Sequence, residues 1–129
     1  MVVTKIEVNL SAEYGIMFLH DSKLRPTVPI DAGKEPIMHT ATCVALCVLH
    51  YVDGDAKIIL ADGSYESKYR EYFSGEIVCP SRSLSLTDPN DFAFASVPLK
   101  DGFAKVSLRM SEERNPDVVE CVIHNMETF

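Results

Sequence analysis

Several features that would specify a compartment are missing from this sequence of 129 residues. Its first ten residues, MVVTKIEVNL, alternate polar with apolar side chains and lack a basic region followed by an apolar run, so we expect no export signal and a cytoplasmic protein. The best membrane candidate, 41–49, is far shorter than the roughly 20 apolar residues of a membrane helix. We therefore expect a soluble protein, and the 47% hydrophobic composition suffices for one domain spanning 1–129.

Clusters of basic residues are also missing. The formal net charge is −7, and no stretch of five residues holds more than two lysines or arginines. Binding to nucleic acid requires a basic face that neutralises phosphates, so the composition argues against nucleic acid as a direct partner. An acidic surface instead favours a basic protein partner.

Motifs that would define an enzyme or a cofactor site are absent as well. The sequence has no glycine-rich phosphate loop, no G-x-S-x-G, no H-E-x-x-H and no C-x-x-C. We predict no catalytic residue, metal site or cofactor, and we interpret the cysteines as buried, inert thiols because each lies in an apolar stretch. His20-Asp21 resembles the dipeptide of metal phosphohydrolases, but a histidine at the end of a strand, capped by its neighbour, is the better interpretation.

Several segments of the sequence alternate between apolar and polar residues with a period of two. Residues 103–110 alternate strictly between apolar and polar side chains, and 5–10 do the same, which is typical of half-buried strands. The runs 14–20, 92–99 and 118–124 are further strand candidates. The predicted core consists of Ile6, Val8, Leu10, Ile16, Phe18, Val44, Leu46, Val48, Ile59, Val106, Leu108, Val119, Cys121 and Ile123.

The stretch HTATCVALCVLHY places His39, Cys43, Cys47 and His50 at the spacing of a metal-binding helix. It is, however, rich in β-branched residues and is followed by an Asp-Gly pair and the apolar run AKIILA, which predicts a strand at 42–51 and a hairpin. On a strand the two cysteines lie about 13 Å apart, against a rise of about 6 Å on a helix, so they do not share an ion.

An internal similarity supports hairpins. The segments 44–60 and 92–108 align without gaps and share DG-x-A-K. Two similar hairpins are what a sandwich of two sheets would contain.

Two segments leave alternatives open. Residues 63–76 have tyrosines at helical spacing, but they also alternate as an edge strand with outward charges, which we favour. Residues 21–38 hold three prolines and no periodicity, which is typical either of a binding loop or of a surface crossover between sheets.

Acidic loops are the candidate binding residues. A basic protein partner would contact carboxylates in three loops, namely Asp53, Asp55, Asp88, Asp91, Glu112 and Glu113. The first four would also suit calcium if their loops met at one end of a sandwich, although Asp and Asn are common turn residues too.

The order of elements resembles a known family. The stretch LSAEYGIMFLHDSKLRPTVP, the strand at 42–51 and the later VPLKDGFAKVSL are similar to the pattern of the competence-protein-J family of nuclease inhibitors. The resemblance implies a small, acidic, intracellular β-sandwich that binds a basic enzyme without catalysis. The tyrosine-rich segment has no counterpart in that pattern, and residues that would contact a nuclease cannot be transferred individually.

Together these patterns predict an all-β, mostly antiparallel β-sandwich of about eight strands with at most one short helix. The function we expect is a non-catalytic cytosolic protein-binding module, such as an inhibitor or immunity-type protein for a basic enzyme. The alternative is a ligand- or calcium-binding β-sandwich domain. The oligomeric state is left open by the sequence.

Overall fold

The structure, a computed structural model, describes residues 4–127. These residues form ten strands, and the only helical element among them is a 3-10 turn at Tyr51–Asp53. Within 4–127, no helix has the length and apolar character needed to cross a membrane. The strands are β1 Lys5–Leu10, β2 Ile16–Asp21, β3 Ile37–His39, β4 Cys43–Cys47, β5 Ala56–Asp62, β6 Arg70–Val78, β7 Ser83–Thr87, β8 Ala93–Pro98, β9 Phe103–Met110 and β10 Val118–Ile123.

The strands form two five-stranded sheets. The first sheet has the order β1-β5-β10-β9-β6, and the second has the order β3-β4-β2-β7-β8. Within the described chain, neighbouring strands pair antiparallel except β5 and β10, which run parallel. The predicted all-β, mostly antiparallel sandwich is confirmed, with ten strands rather than about eight.

One core lies between the sheets. Strand β9 buries Ala104, Val106, Leu108 and Met110, as its strict alternation predicts. Val8 is half-buried against this core. Nine of the predicted core residues lie in it, namely Leu10, Val44, Leu46, Val48, Val106, Leu108, Val119, Cys121 and Ile123.

The predicted orientation of β2 is wrong. Met17 and Leu19 point into the core, whereas Ile16 and Phe18 lie half-buried on the outer face of the second sheet. The apolar run of β2 contains no alternation that could fix its orientation, because its outer face is covered too. Part of that cover is Gly33, where a Cβ would come within 2.9 Å of Ile16 Cδ1.

Two other predicted core residues also lie elsewhere. Ile6, on edge strand β1, is 36% exposed. Ile59 is buried, but outside the core between the sheets; it pairs with Glu7 on one side and Glu120 on the other.

Neither predicted Asp-Gly hairpin forms. Strand β4 belongs to the second sheet and β5 to the first, and β8 and β9 are divided in the same way. A type I′ hairpin turn needs positive φ at both central residues, but Asp53, Asp101 and Gly102 all lack it. The internal similarity therefore corresponds to two corners at which the chain passes from the second sheet to the first.

The two ambiguous segments both cover outer faces. Residues 22–36 cross the second sheet, so that Cys43 and Ala45 are buried although they point away from the core. Residues 63–69 cross the first sheet, and β6 begins only at Arg70. The edge-strand prediction for 63–76 is thus confirmed for 70–76 and wrong for 63–69.

The crossing of the first sheet is held by a buried carboxylate. Glu120, on β10, is 2% exposed. The hydroxyl of Tyr65 donates to its Oε2 at 2.7 Å, and the hydroxyl of Ser67 donates to its Oε1. A buried carboxylate is costly unless it is hydrogen-bonded, so these two donors fix the path of the segment.

Leu19→Ala and Ile6→Ala test the orientation of β2 and the edge position of β1. Each shortens a four-carbon aliphatic side chain to a methyl group, but Leu19 is fully buried and Ile6 is partly exposed. We expect a loss of about 3 kcal/mol of unfolding free energy for Leu19→Ala and less than about 1 kcal/mol for Ile6→Ala. Urea unfolding measures both; equal losses would contradict the orientation described here.

Tyr65→Phe tests the contact with Glu120. The hydrogen bond to Glu120, with burial, raises the pKa of Tyr65 to about 12. A raised folded-state pKa means that the stabilisation is complete below the unfolded pKa near 10 and is lost as pH rises toward 12. We expect Tyr65→Phe to cost about 1–3 kcal/mol at pH 7. Urea unfolding at increasing pH should show this difference shrinking above pH 10; a difference independent of pH would contradict the assignment.

Candidate functional site

Strand pairing, antiparallel except between β5 and β10, brings four connections to one end of the sandwich. Leu10, at the end of β1, pairs with Ala56, at the start of β5, and Val118, at the start of β10, pairs with Lys57. The connections that adjoin these strand ends, 11–15, 50–55 and 111–117, therefore lie at the same end of the first sheet. In the second sheet, Ile16 pairs with Cys47 and Phe18 with Thr87, which places 88–92 there as well.

These connections contact one another. Tyr51 N donates to Ala12 O at 3.0 Å, and Leu49 N donates to Pro116 O at 2.9 Å. The Asn90 side chain reaches Tyr14, with Nδ2 donating to the hydroxyl at 3.0 Å. The four connections therefore form one continuous surface.

This surface, the acidic end, carries the net charge of the protein. Residues 11–15, 50–55, 88–92 and 111–117 hold eight acidic residues and one basic residue, Arg114. The rest of the chain holds eleven of each sign, so its formal charge is zero. The acidic residues are Glu13, Asp53, Asp55, Asp88, Asp91, Glu112, Glu113 and Asp117.

All six carboxylates proposed from the sequence lie on the acidic end. Sequence reasoning missed Glu13 and Asp117, because neither stands out until the strand ends are placed next to each other. Seven of the eight acidic residues are exposed, and Asp88 is half-buried.

Three of the acidic side chains shape the loops. Asp88 Oδ1 accepts from the backbone N–H of Asn90 at 2.8 Å and of Phe92 at 3.1 Å, which closes the β7–β8 turn. Asp55 and Asp117 accept from serine hydroxyls, each at 2.9 Å. The other five have no side-chain hydrogen bond within residues 4–127, so their carboxylates are available to a partner.

The acidic loops do not assemble a metal site. Within the described chain, no three His, Cys, Asp or Glu side chains are grouped so that they could hold an ion. The arrangement required by the calcium alternative, with Asp53 and Asp55 beside Asp88 and Asp91, is therefore not formed.

The cysteines are thiols that do not ionise near neutral pH. All four are free; Cys43, Cys79 and Cys121 are buried, as predicted, whereas Cys47, also predicted to be buried, is only half-buried. Burial raises the pKa of Cys43 and Cys121 to about 12 and that of Cys79 to about 11. Burial also raises the pKa of the half-buried Cys47. Because only the thiolate attacks, none of them is set up as a nucleophile.

A second surface, the serine cleft, is concave and lies on the outer face of the second sheet. Strand β7, SLSLT, points its leucines into the core and its hydroxyl side chains outward. The segment that follows β2 overhangs this floor and leaves a cavity of about 240 Å³. The cleft is lined by His20, Ser22, Lys23, Leu24, Arg25, Pro26, Ser85, Thr87, Asp91 and Ala93.

His20 is fixed in the floor of the cleft. It is 8% exposed, and its Nδ1 lies 2.8 Å from Asp21 O and its Nε2 lies 2.9 Å from Thr87 Oγ1. A carbonyl only accepts, so Nδ1 donates to Asp21 O, and the contact of Nε2 with the Thr87 hydroxyl fixes the orientation of the ring. The prediction of a strand-end histidine capped by its neighbour is confirmed.

Asp21 fixes the overhanging segment. Its Oδ1 accepts from the backbone N–H of Lys23 at 2.7 Å and of Leu24 at 3.1 Å, and its Oδ2 accepts from Ser81 N at 2.8 Å. Burial alone would raise the pKa of this carboxyl, but these hydrogen bonds outweigh it and the pKa lies below its usual value. The ionised carboxylate thus holds the rim of the serine cleft in place.

Comparison with known proteins identifies the fold. No family model matches the sequence, and no curated protein matches it significantly. The solved structure of ComJ, inhibitor of the DNA degrading activity of NucA, from Bacillus subtilis, matches with a TM-score of 0.69 at 11% identity, over 97% of this chain and 99% of that one. Crocagin biosynthetic gene J matches with a TM-score of 0.60 at 14% identity, over 97% and 99%. The resemblance to the competence-protein-J family is confirmed at the level of the fold.

Proposed function

We propose that this protein is a non-catalytic binding module that inhibits a basic nuclease by covering it with the acidic end. The observation that carries the proposal is the segregation of charge. The four adjoining connections hold eight acidic residues and one basic residue, whereas the rest of the chain has a formal charge of zero. The fold shared with ComJ, which inhibits a DNA-degrading activity, supports the choice of a nuclease as the target.

The physical basis is competition for a basic surface. A nuclease binds the phosphate backbone through lysine and arginine side chains. Exposed carboxylates on several loops, such as Asp53, Glu112 and Glu113, present negative charge to the same side chains. Complementary fields also steer the two proteins together and raise the association rate, an effect that salt screens.

The state of the nucleophilic groups supports a role without catalysis. Three of the thiols have a pKa raised to about 11 or 12, and both ring nitrogens of His20 are engaged in hydrogen bonds. Free thiols also suit the reducing cytoplasm, which we propose as the compartment.

A charge-reversal pair tests the role of the acidic end. The triple variant Asp53→Lys, Glu112→Lys, Glu113→Lys alters side chains that form no hydrogen bond within residues 4–127. The control, Glu66→Lys, Glu76→Lys, Glu127→Lys, alters exposed carboxylates elsewhere. Both variants shift the formal net charge from −7 to −1, so only position differs.

The measurement is affinity capture from the source cell's lysate at low ionic strength, followed by a DNA-cleavage assay of the captured enzyme. We expect the wild type and the control to capture a basic nuclease and to inhibit it. The acidic-end variant should bind it at least about 100-fold more weakly, which corresponds to about 2.7 kcal/mol. Equal capture by both variants, or capture insensitive to salt, would contradict the proposal.

A further inference from the structure

Four serine hydroxyl groups form a chain on the outer face of the second sheet, and two of them, those of Ser22 and Ser85, line the serine cleft. Ser22 Oγ lies 2.7 Å from Ser83 Oγ and 2.6 Å from Ser85 Oγ, and Ser85 Oγ lies 2.6 Å from Ser96 Oγ. Ser85 is 3% exposed. These groups face outward from the sheet, so they contribute nothing to the core.

One O–H group of the hydroxyl chain is not used within the chain. Each serine supplies one O–H, and the three contacts among four hydroxyls use three of them. Because hydroxyl groups rotate, the fourth O–H can be presented by Ser22 or Ser85, both of which line the cleft. The floor therefore offers a hydrogen-bond donor to a bound acceptor.

Two cations lie on the rim above this donor. Lys23 and Arg25 line the cleft, and the backbone between them is held by Asp21. Within residues 4–127, no carboxylate approaches either side chain to within 4.0 Å; the one ion pair there joins Arg109 and Glu71. The positive charge on the rim is therefore available to an anion.

The other end of the cleft carries the opposite charge. Thr87 and Asp91 line it there, and Thr87 lies two residues along β7 from Ser85, a distance of about 7 Å. Thr87 Oγ1 makes one hydrogen bond with His20 Nε2 and, whichever of the two atoms donates, keeps at least one lone pair that can accept from a ligand. This end of the cleft thus accepts hydrogen bonds, whereas the end near Ser22 donates them.

We propose that the serine cleft binds a small phosphate ester that carries hydroxyl groups. The phosphate lies between Lys23, Arg25 and the serine hydroxyls, and the hydroxyl groups of the ester donate to Asp91 and Thr87. The site adjoins the proposed inhibitory surface and shares Asp91 with it, but Lys23, Arg25 and the serines, which hold the phosphate, lie outside the acidic end.

The test is a nitrogen-15 NMR titration of the full chain with ribose 5-phosphate, inorganic phosphate and ribose. We expect ribose 5-phosphate to give saturable shifts confined to residues 20–26 and 83–93, with a Kd of about 1 mM or below. Inorganic phosphate should bind at the same residues more weakly, and ribose should not saturate. Absence of saturable shifts with ribose 5-phosphate, or affinity equal to that for inorganic phosphate, would overturn the proposal.

Three variants assign the roles. The double variant Lys23→Gln, Arg25→Gln should weaken the binding of ribose 5-phosphate at least about tenfold. The control variant Lys100→Gln, Lys105→Gln removes the same charge from exposed positions elsewhere and should leave this binding unchanged. Asp91→Asn should weaken binding of the ester but not of inorganic phosphate, because it replaces one of the two acceptor oxygens with an NH2 group that only donates, and it removes the negative charge that strengthens the hydrogen bond to a hydroxyl group. Equal effects of the two double variants would show that the anion is attracted by overall charge, and would overturn the proposed site. Unaltered ester binding in Asp91→Asn would overturn the proposed orientation of the ester in the cleft.

Discussion

Strand pairing is the constraint on which the placement of the loops depends. Neighbouring strands run antiparallel except β5 and β10, and the parallel pairing of these two places the connections that precede them at the same end of the sandwich. Four connections that are far apart in the sequence, from 11–15 to 111–117, thereby form one surface. Their acidic residues become a single charged region only through this pairing.

The outer faces of the sheets are organised by buried carboxylates. Asp21 holds the start of the segment that crosses the second sheet, and Glu120 holds the segment that crosses the first. Each is stabilised by several hydrogen-bond donors from elsewhere in the chain, so breaking the contacts would leave a costly unpaired group. Fixed crossings give the serine cleft a defined rim, which a mobile loop would not provide.

How much of the structure the sequence predicts depends on the information in each pattern. The alternation of β9 specifies both the strand and its buried face, whereas the continuous apolar run of β2 specifies a strand but not the orientation of Phe18 or Leu19. The Asp-Gly pairs predict hairpins, but which sheet a strand joins depends on pairing between distant segments.

The same limit applies to the sites. Six acidic residues can be proposed from the sequence, but the sequence does not show that they form one surface together with Glu13 and Asp117. The alternation of SLSLT could have indicated the polar floor, although not the segment that overhangs it.

The central claim is that the acidic residues act as one surface at one end of the sandwich. Paramagnetic relaxation of backbone amides by freely diffusing cationic and anionic nitroxides reports the local electrostatic potential residue by residue. At low ionic strength the account predicts that the cationic probe relaxes residues 11–15, 50–55, 88–92 and 111–117 much more strongly than the anionic probe, with little difference over the rest of the surface. Similar preference for the cationic probe at both ends of the sandwich would contradict it.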